Sequence, residues 1–163
     1  MTATKAKNTE AVKAASGLDW LRIVSILLAI AGIAVAGYLS WAEVTGNETQ
    51  CLDTGKINCE TVQSSAYSEV LGVPIALLGL AGYIAILGVL LLEDQVPFLA
   101  AYGRTLIAGF ALFGVLFSVY LTLIEATVLD AWCQWCVISA LLITLLLIVG
   151  AVRLNQLFSV LRS

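Results

Sequence analysis

An all-α integral membrane protein with four spanning helices is the fold class this sequence predicts, and three observations predict it. The first is composition. Hydrophobic residues make up 61% of the chain, charged residues 12%, and mean hydropathy is +1.00, whereas a soluble domain carries about 25% charged residues. A chain of 163 residues would have to show water a polar surface, and a lipid-facing surface removes that demand. The second is a series of four long apolar runs with short polar connections between them. The third is the placement of basic residues. With both termini on the cytoplasmic side, Lys5, Lys7, Lys13, Arg22, Arg104, Arg153 and Arg162 fall on the inner side, and Lys56 alone falls on the outer side. That is the positive-inside pattern. The net charge of −3 is too small to argue for a charged partner and speaks against nucleic acid.

Residues 1–19 are small and polar and read as a flexible cytoplasmic tail. The apolar run from Trp20 to Trp41 exceeds the roughly 7–15 residues of a signal-peptide core, so it is expected to stay as the first span. It would cover roughly 33 Å, enough for a hydrocarbon core of about 30 Å. Trp20 and Trp41 bracket it at interfacial depth, and Arg22 is placed to snorkel toward the headgroups. From Ala42 to Val70 the chain turns polar, and Gly46, Asn47, Gly55 and Asn58 supply turn chemistry. Val62, Ala66 and Val70 recur at helical spacing, which predicts a short surface helix over the membrane domain.

The second span is expected over 71–92. Pro74 falls in its first turn, and Gly79, Gly82 and Gly88 would admit close helix neighbours. Glu93, Asp94 and Pro97 end that pattern. The third span is expected over 101–124, with Gly109 and Gly114 inside it, and the fourth over 131–152. Together they make a membrane domain over 20–153, followed by a short cytoplasmic tail at 154–163.

There is no histidine, which removes the commonest general base and metal ligand, and with them Ser–His and Cys–His catalysis. The chemistry rests on four cysteines. Cys51 and Cys59 lie in the polar loop, Cys133 and Cys136 open the last span, and the charge rule puts all four on the outer side. Thiols in an oxidising compartment are normally paired. Spacing favours Cys51–Cys59 and Cys133–Cys136 among the three connectivities. In a C-x-x-C at the head of a helix, the first sulfur faces unpaired N–H groups that stabilise its thiolate. On that reasoning Cys133 is the more exposed and exchangeable sulfur, and Cys136 lies deeper. No nucleotide or flavin motif is present, so a quinone dissolved in the bilayer is the acceptor that fits. A four-cysteine zinc site is the competing ligand chemistry, although C-x7-C is a loose knuckle. Two structural staples in a non-catalytic scaffold are the competing architecture, although so small a ring constrains little chain entropy.

Several residues then resemble a family pattern in combination. Cys51-x7-Cys59 is followed by Ser65, by Leu71-Gly72-Val73-Pro74 and by Cys133-x-x-Cys136. Over about residues 18–153 this resembles the vitamin K epoxide reductase family in its short bacterial form, without the fused thioredoxin-like domain. The resemblance implies a four-helix bundle whose quinone pocket is capped by the loop between the first two spans. It implies that Cys51 exchanges with a soluble thioredoxin-like or DsbA-like partner, that Cys59 passes electrons to Cys133, and that Cys136 is the sulfur next to the quinone, ubiquinone, menaquinone or a related ring. Ser65 would support the loop cysteines and the pocket cover, or serve as a plain turn residue.

Vertebrate members bind the quinone oxygens with an asparagine in the second helix and a tyrosine one turn beyond the C-x-x-C. Here the second span has no asparagine and Ala140 takes the latter position, so quinone reduction is expected rather than epoxide reduction. The chain stops at Ser163, so the partner is expected to be a separate protein. Trp135 is a candidate pocket wall beside Ala140, and Trp132 a candidate for the interfacial belt. Asp53, Glu60 and Glu69 read as solvated loop charges, and Glu125 and Asp130 border the active face as candidates for handling protons, although their spacing does not assign them that role. The expected activity is a thiol:quinone oxidoreductase of the bacterial inner membrane. Its nearest enzymatic rival, a DsbB-type reductase, carries its two cysteine pairs in the opposite order.

Overall fold

A computed structural model describes residues 2–47, 49–51, 55 and 57–162, excepting the side chains of 2–19, 157 and 160–162. Glu48, Asp53 and Lys56, which the sequence places in the outer loop, lie outside the described residues, as do the side chains of Lys5, Lys7, Lys13 and Arg162. The elements in order are α1 (Thr2–Thr45), α2 (Cys59–Gln63), β1 (Glu69–Val70), β2 (Val73–Pro74), α3 (Ile75–Leu92), α4 (Pro97–Ile124), a π-helical turn (Glu125–Leu129) and α5 (Gln134–Arg162).

Four stretches are long and apolar enough to cross a membrane: Trp20–Thr45, Ile75–Leu92, Pro97–Leu129 and Gln134–Gln156. The protein is an all-α, multi-pass membrane protein. α1 packs against α3 and α5, and α4 packs against α3 and α5, so α1 and α4 sit diagonally across a four-helix bundle. The core runs along the axis through Ala29, Ala36, Tyr83, Ile86, Leu90, Ile107, Ala111, Ile143 and Leu146. Outward faces are as apolar as the core, with Leu27, Ile84, Phe113, Leu116 and Leu141 all exposed. A helix that is apolar all round belongs in lipid.

Close approach is arranged at two glycines other than those expected. A Cβ on Gly32 would lie 2.2 Å from the Tyr83 ring, and one on Gly114 would lie 2.8 Å from Ile143. At Gly79, Gly82 and Gly88 no described atom lies within 4 Å of the Cβ position. These three do not bring helices together, and the first two border open space inside the bundle.

Other boundaries also differ from expectation. α1 is already helical at Thr2, because residues 2–19 are rich in alanine and contain no proline. The predicted surface helix through Val62, Ala66 and Val70 is instead the short α2, which starts at Cys59, and Val70 belongs to a hairpin. Asn58 caps α2 by accepting the Thr61 N–H at 3.0 Å. The hairpin turns at Leu71 (φ 55°) and Gly72 (φ 78°), the pair of positive φ values of a type I′ turn. That conformation cannot start a helix, so α3 begins at Ile75 with Pro74 as its cap rather than in its first turn.

Arg22 is engaged within the protein at the end of the bundle. Its guanidinium bonds the Leu90 carbonyl at 2.8 and 3.1 Å, pairs with Glu93 at 3.3 Å and contacts Asp94, closing the C-terminal end of α3. Arg153 of α5, almost fully buried, meets the same Glu93 carboxylate at 2.6 Å. Three helices are tied together at this charged end.

Candidate redox site

At the opposite end the polar segment between α1 and α3 folds over the bundle as a cover. Tyr38 and Trp135 pack with ring centroids 5.0 Å apart. The Gln50 N–H donates to the Tyr38 hydroxyl at 3.0 Å, and the Trp135 indole N–H donates to the Gln50 carbonyl at 3.0 Å. Trp135 therefore clamps the cover from α5. It does not line the pocket, contrary to the sequence expectation, because its polar edge is drawn to the Gln50 carbonyl.

Beyond Gln50, Cys51 and Cys59 form a disulfide with Cα atoms 6.2 Å apart. Ile57 forms a parallel bridge with Trp132, and the Asn58 N–H donates to the Trp132 carbonyl at 3.1 Å. This pairing involves the backbone of Trp132, which the sequence assigned to the interfacial belt. It also brings the cysteine-bearing segments side by side, with Cys59 and Cys133 each just past a bridging partner. Both are sealed, with exposures of 1% and 0%, while Cys51 is only half-buried.

Cys133 and Cys136 are free thiols. Cys133 precedes α5 and caps it, its sulfur accepting the Cys136 N–H at 3.3 Å. Cys133 is not the exposed sulfur that was expected, whereas Cys136 does lie deeper, among the helices. Cys133 lies under the cover, while Cys136, one turn on, opens onto a cavity. The hydrogen bond from the Cys136 thiol, seconded by the backbone N–H groups of Cys136 and Trp135, holds the Cys133 thiol below the ordinary thiol range. Burial and the neighbouring Glu125 carboxylate push the other way without prevailing.

The cavity has a volume of about 610 Å³ and lies between all four spanning helices beneath the cover. Its walls are mainly apolar, with Phe110, Phe113 and Phe117 from α4, Ile86 from α3 and Ile143 from α5. Gly79, Ala81 and Gly82 of α3 and Ala140 of α5 leave the room. Ser65 lies on the roof. Its hydroxyl donates to the Val62 carbonyl at 2.7 Å, and its carbonyl accepts from the Ser68 N–H and hydroxyl. It closes a turn of the cover, and among the described residues its hydrogen bonds go to Val62 and Ser68 rather than to a cysteine.

Two residues here carried no expectation from the sequence, and a third, Glu125, was placed only at the border of the active face. Tyr83 on the cavity wall donates its hydroxyl to the Ser139 carbonyl at 2.9 Å and lies 3.2 Å from the Ser139 hydroxyl. Glu125, 4% exposed, accepts the Cys133 N–H at 3.2 Å. An ionisable residue at the end of an apolar span is costly there, and that cost was the available signal for Glu125. Tyr83 and Ser139 had no such signal, since hydroxyls in a span are commonplace.

The arrangement suits thiol–disulfide exchange. Because Cys51 and Cys59 are bonded to each other, their thiolates are withdrawn from any four-cysteine zinc site. The cavity suits a flat apolar ring: its volume is that of a small-molecule pocket, and aromatic faces and one thiol line it. A sequence model described as the vitamin K epoxide reductase family matches residues 23–151. Four spanning helices, a cysteine pair in the loop after the first and a C-x-x-C heading the last accord with that match, and the chain belongs to the vitamin K epoxide reductase family, a family of membrane thiol–disulfide oxidoreductases.

Proposed function

We propose that the protein is a thiol:quinone oxidoreductase that reoxidises a soluble thioredoxin-like protein. One observation carries the reading: the four sulfurs run from the protein surface to an apolar cavity. Cys51 is reachable from outside, Cys59 and Cys133 are buried beside each other's backbone, and Cys136 ends on the cavity wall. A polar groove of about 230 Å³, lined by Thr49, Cys51, Asn58, Cys59 and Glu60, gives an incoming partner access to the loop disulfide.

The exchange balances as follows. A partner thiolate attacks Cys51 and releases Cys59 as thiolate, and the partner's second thiol resolves the mixed disulfide, leaving the partner oxidised and the loop pair reduced. Cys59 then attacks Cys133 of an oxidised membrane pair and releases Cys136, and Cys51 closes on Cys59. The resulting state, with the loop pair bonded and the membrane pair as thiols, is the one in the structure. A quinone bound in the cavity would accept the two electrons and two protons released when Cys133 and Cys136 join.

The charge distribution supports a topology with both termini cytoplasmic and the cysteine end on the periplasmic face of a bacterial inner membrane. The test is quinone reduction by the purified protein with a reduced thioredoxin-like donor. Wild type is expected to turn over and Cys136→Ser to lose at least a thousandfold. An inactive wild type that holds both cysteine pairs as stable disulfides would favour the stapled scaffold instead.

A further inference from the structure

The reaction just described releases thiol protons inside a dry site, and Glu125 is the carboxyl placed to handle one of them. It heads the π-helical turn that ends the third span, is 4% exposed, and lines the cavity that Cys136 also lines. One carboxylate oxygen accepts the Cys133 N–H at 3.2 Å, and the Cys136 thiol interacts with the same carboxyl. The turn itself aims the residue. Asp130, in a left-handed conformation (φ 45°), and Ala131 both return their N–H groups to the Glu125 carbonyl. Deeper in the membrane spans, none of the described residues lining the cavity is acidic: its other carboxylate, Glu43, belongs to the last turn of α1, near the cover.

We propose that Glu125 is the proton carrier of the membrane cysteine pair, taking the Cys136 thiol proton as the pair oxidises and releasing it into the cavity. The inference rests on the thiol:quinone reading. The step balances. Two S–H bonds are lost and one S–S bond forms between Cys133 and Cys136, and the electron pair goes to the quinone. One proton travels from Cys136 through Glu125 to a quinone oxygen. The Cys133 proton leaves to water, and water supplies its equivalent to the second oxygen. Glu125 ends as the carboxylate it began.

A bland alternative is that Glu125 only caps the Cys133 N–H. Glu125→Gln separates the two roles, because a glutamine carbonyl still accepts that N–H but cannot carry a proton. Carriage predicts that Glu125→Gln slows quinone reduction by about a hundredfold or more, the usual worth of a placed proton-transfer group, and that Glu125→Ala slows it as much. Capping predicts Glu125→Gln within twofold of wild type, with only Glu125→Ala impaired, and that pattern would overturn the proposal.

A second measurement needs no quinone. In a Cys51→Ala, Cys59→Ala protein, where only the membrane pair can ionise among the cysteines, thiolate absorbance is followed against pH. The titratable groups on the cavity that Cys136 lines are Glu125 itself, Glu43 from α1, Tyr67 from the cover and Tyr83 from α3, with Glu60 on α2 and Asp130 at the end of the π-turn on the adjoining elements. The Glu125 charge pushes the Cys133 thiol upward, so Glu125→Gln is expected to move the first thiolate midpoint to lower pH while turnover falls. A midpoint that stays put or rises overturns the proposal. Should wild type fail to reduce quinone at all, the functional reading falls, and the titration alone decides whether Glu125 is coupled to the thiols.

Discussion

The two ends of the bundle are built on different principles. At the charged end, Arg22 of α1 and Arg153 of α5 converge on Glu93 at the foot of α3, and only a short turn separates α3 from α4. At the cysteine end, helices are interrupted by a five-residue α2, a two-stranded hairpin, a π-turn and a left-handed Asp130. Among the described residues, the hydrogen bonds that join the cover to the bundle include Gln50 to Tyr38 and Trp135, Asn58 to Trp132, and Ile75 to Ser68. One end resists opening because opening would strand buried charge. The other can open by exchanging a few neutral hydrogen bonds with water, each with a net worth of about 1 kcal/mol. The proposed relay, in which the buried Cys59 must become a nucleophile, needs that asymmetry.

The comparison can be broken from its strong side first. Glu93→Ala leaves Arg153, 2% exposed, without its carboxylate, and removing one partner of a buried pair costs about 3–5 kcal/mol. Thermal unfolding in detergent should show that loss, while the thiolate midpoint of the distant membrane pair stays in place below the transition. A loss under about 1 kcal/mol, within the range of an exposed ion pair, would mean that Arg153 finds another anion and the charged end is no clamp.

A middle-sized effect belongs to the cover. Trp135→Phe keeps a ring beside Tyr38 and deletes the indole donor to Gln50. A net loss of about 0.5–1.5 kcal/mol, or roughly two- to tenfold in opening, is expected. The readout is the rate at which dithiothreitol reduces the Cys51–Cys59 disulfide, which should rise by that factor with global stability unchanged. An unchanged rate would show that the clamp does not limit access to the loop pair.

The smallest expected effect is at the hairpin tip. Leu71 is fully exposed and holds a left-handed φ, which costs a non-glycine residue about 1–2 kcal/mol. Leu71→Asn makes the favoured Asn-Gly turn with Gly72 and should stabilise by up to about 1 kcal/mol on the same unfolding assay. Destabilisation would reveal that the leucine is held by lipid.

Part of this was legible in the residues alone, for identifiable reasons. Bilayer thickness sets span length, so four apolar runs declare four helices wherever they pack. The spacing of the cysteines and their position relative to the spans declared two pairs at one end. The rotation of each helix about its own axis was another matter. Faces that meet lipid and faces that meet protein are equally apolar here, so no periodicity says that Gly32 and Gly114 are contact points while Gly79 and Gly82 border a void.

The same blindness explains the misplaced exposure at the C-x-x-C. Helix-end reasoning placed Cys133 at the surface and Cys136 deeper among the helices, and only the first of these fails. The chain determined by itself that Cys133 would cap α5, since sequence position is enough to put a sulfur beside free N–H groups. Only the tertiary structure decided that Ile57 and Asn58 would bridge across to Trp132 and seal Cys133, that Trp135 would turn to the cover, and that Glu125 would fold back from a π-turn onto the thiols. The first two are contacts between segments far apart in sequence and the last joins residues on either side of one turn, and their geometry is set by which backbone donors and acceptors are left unpaired once the helices have met.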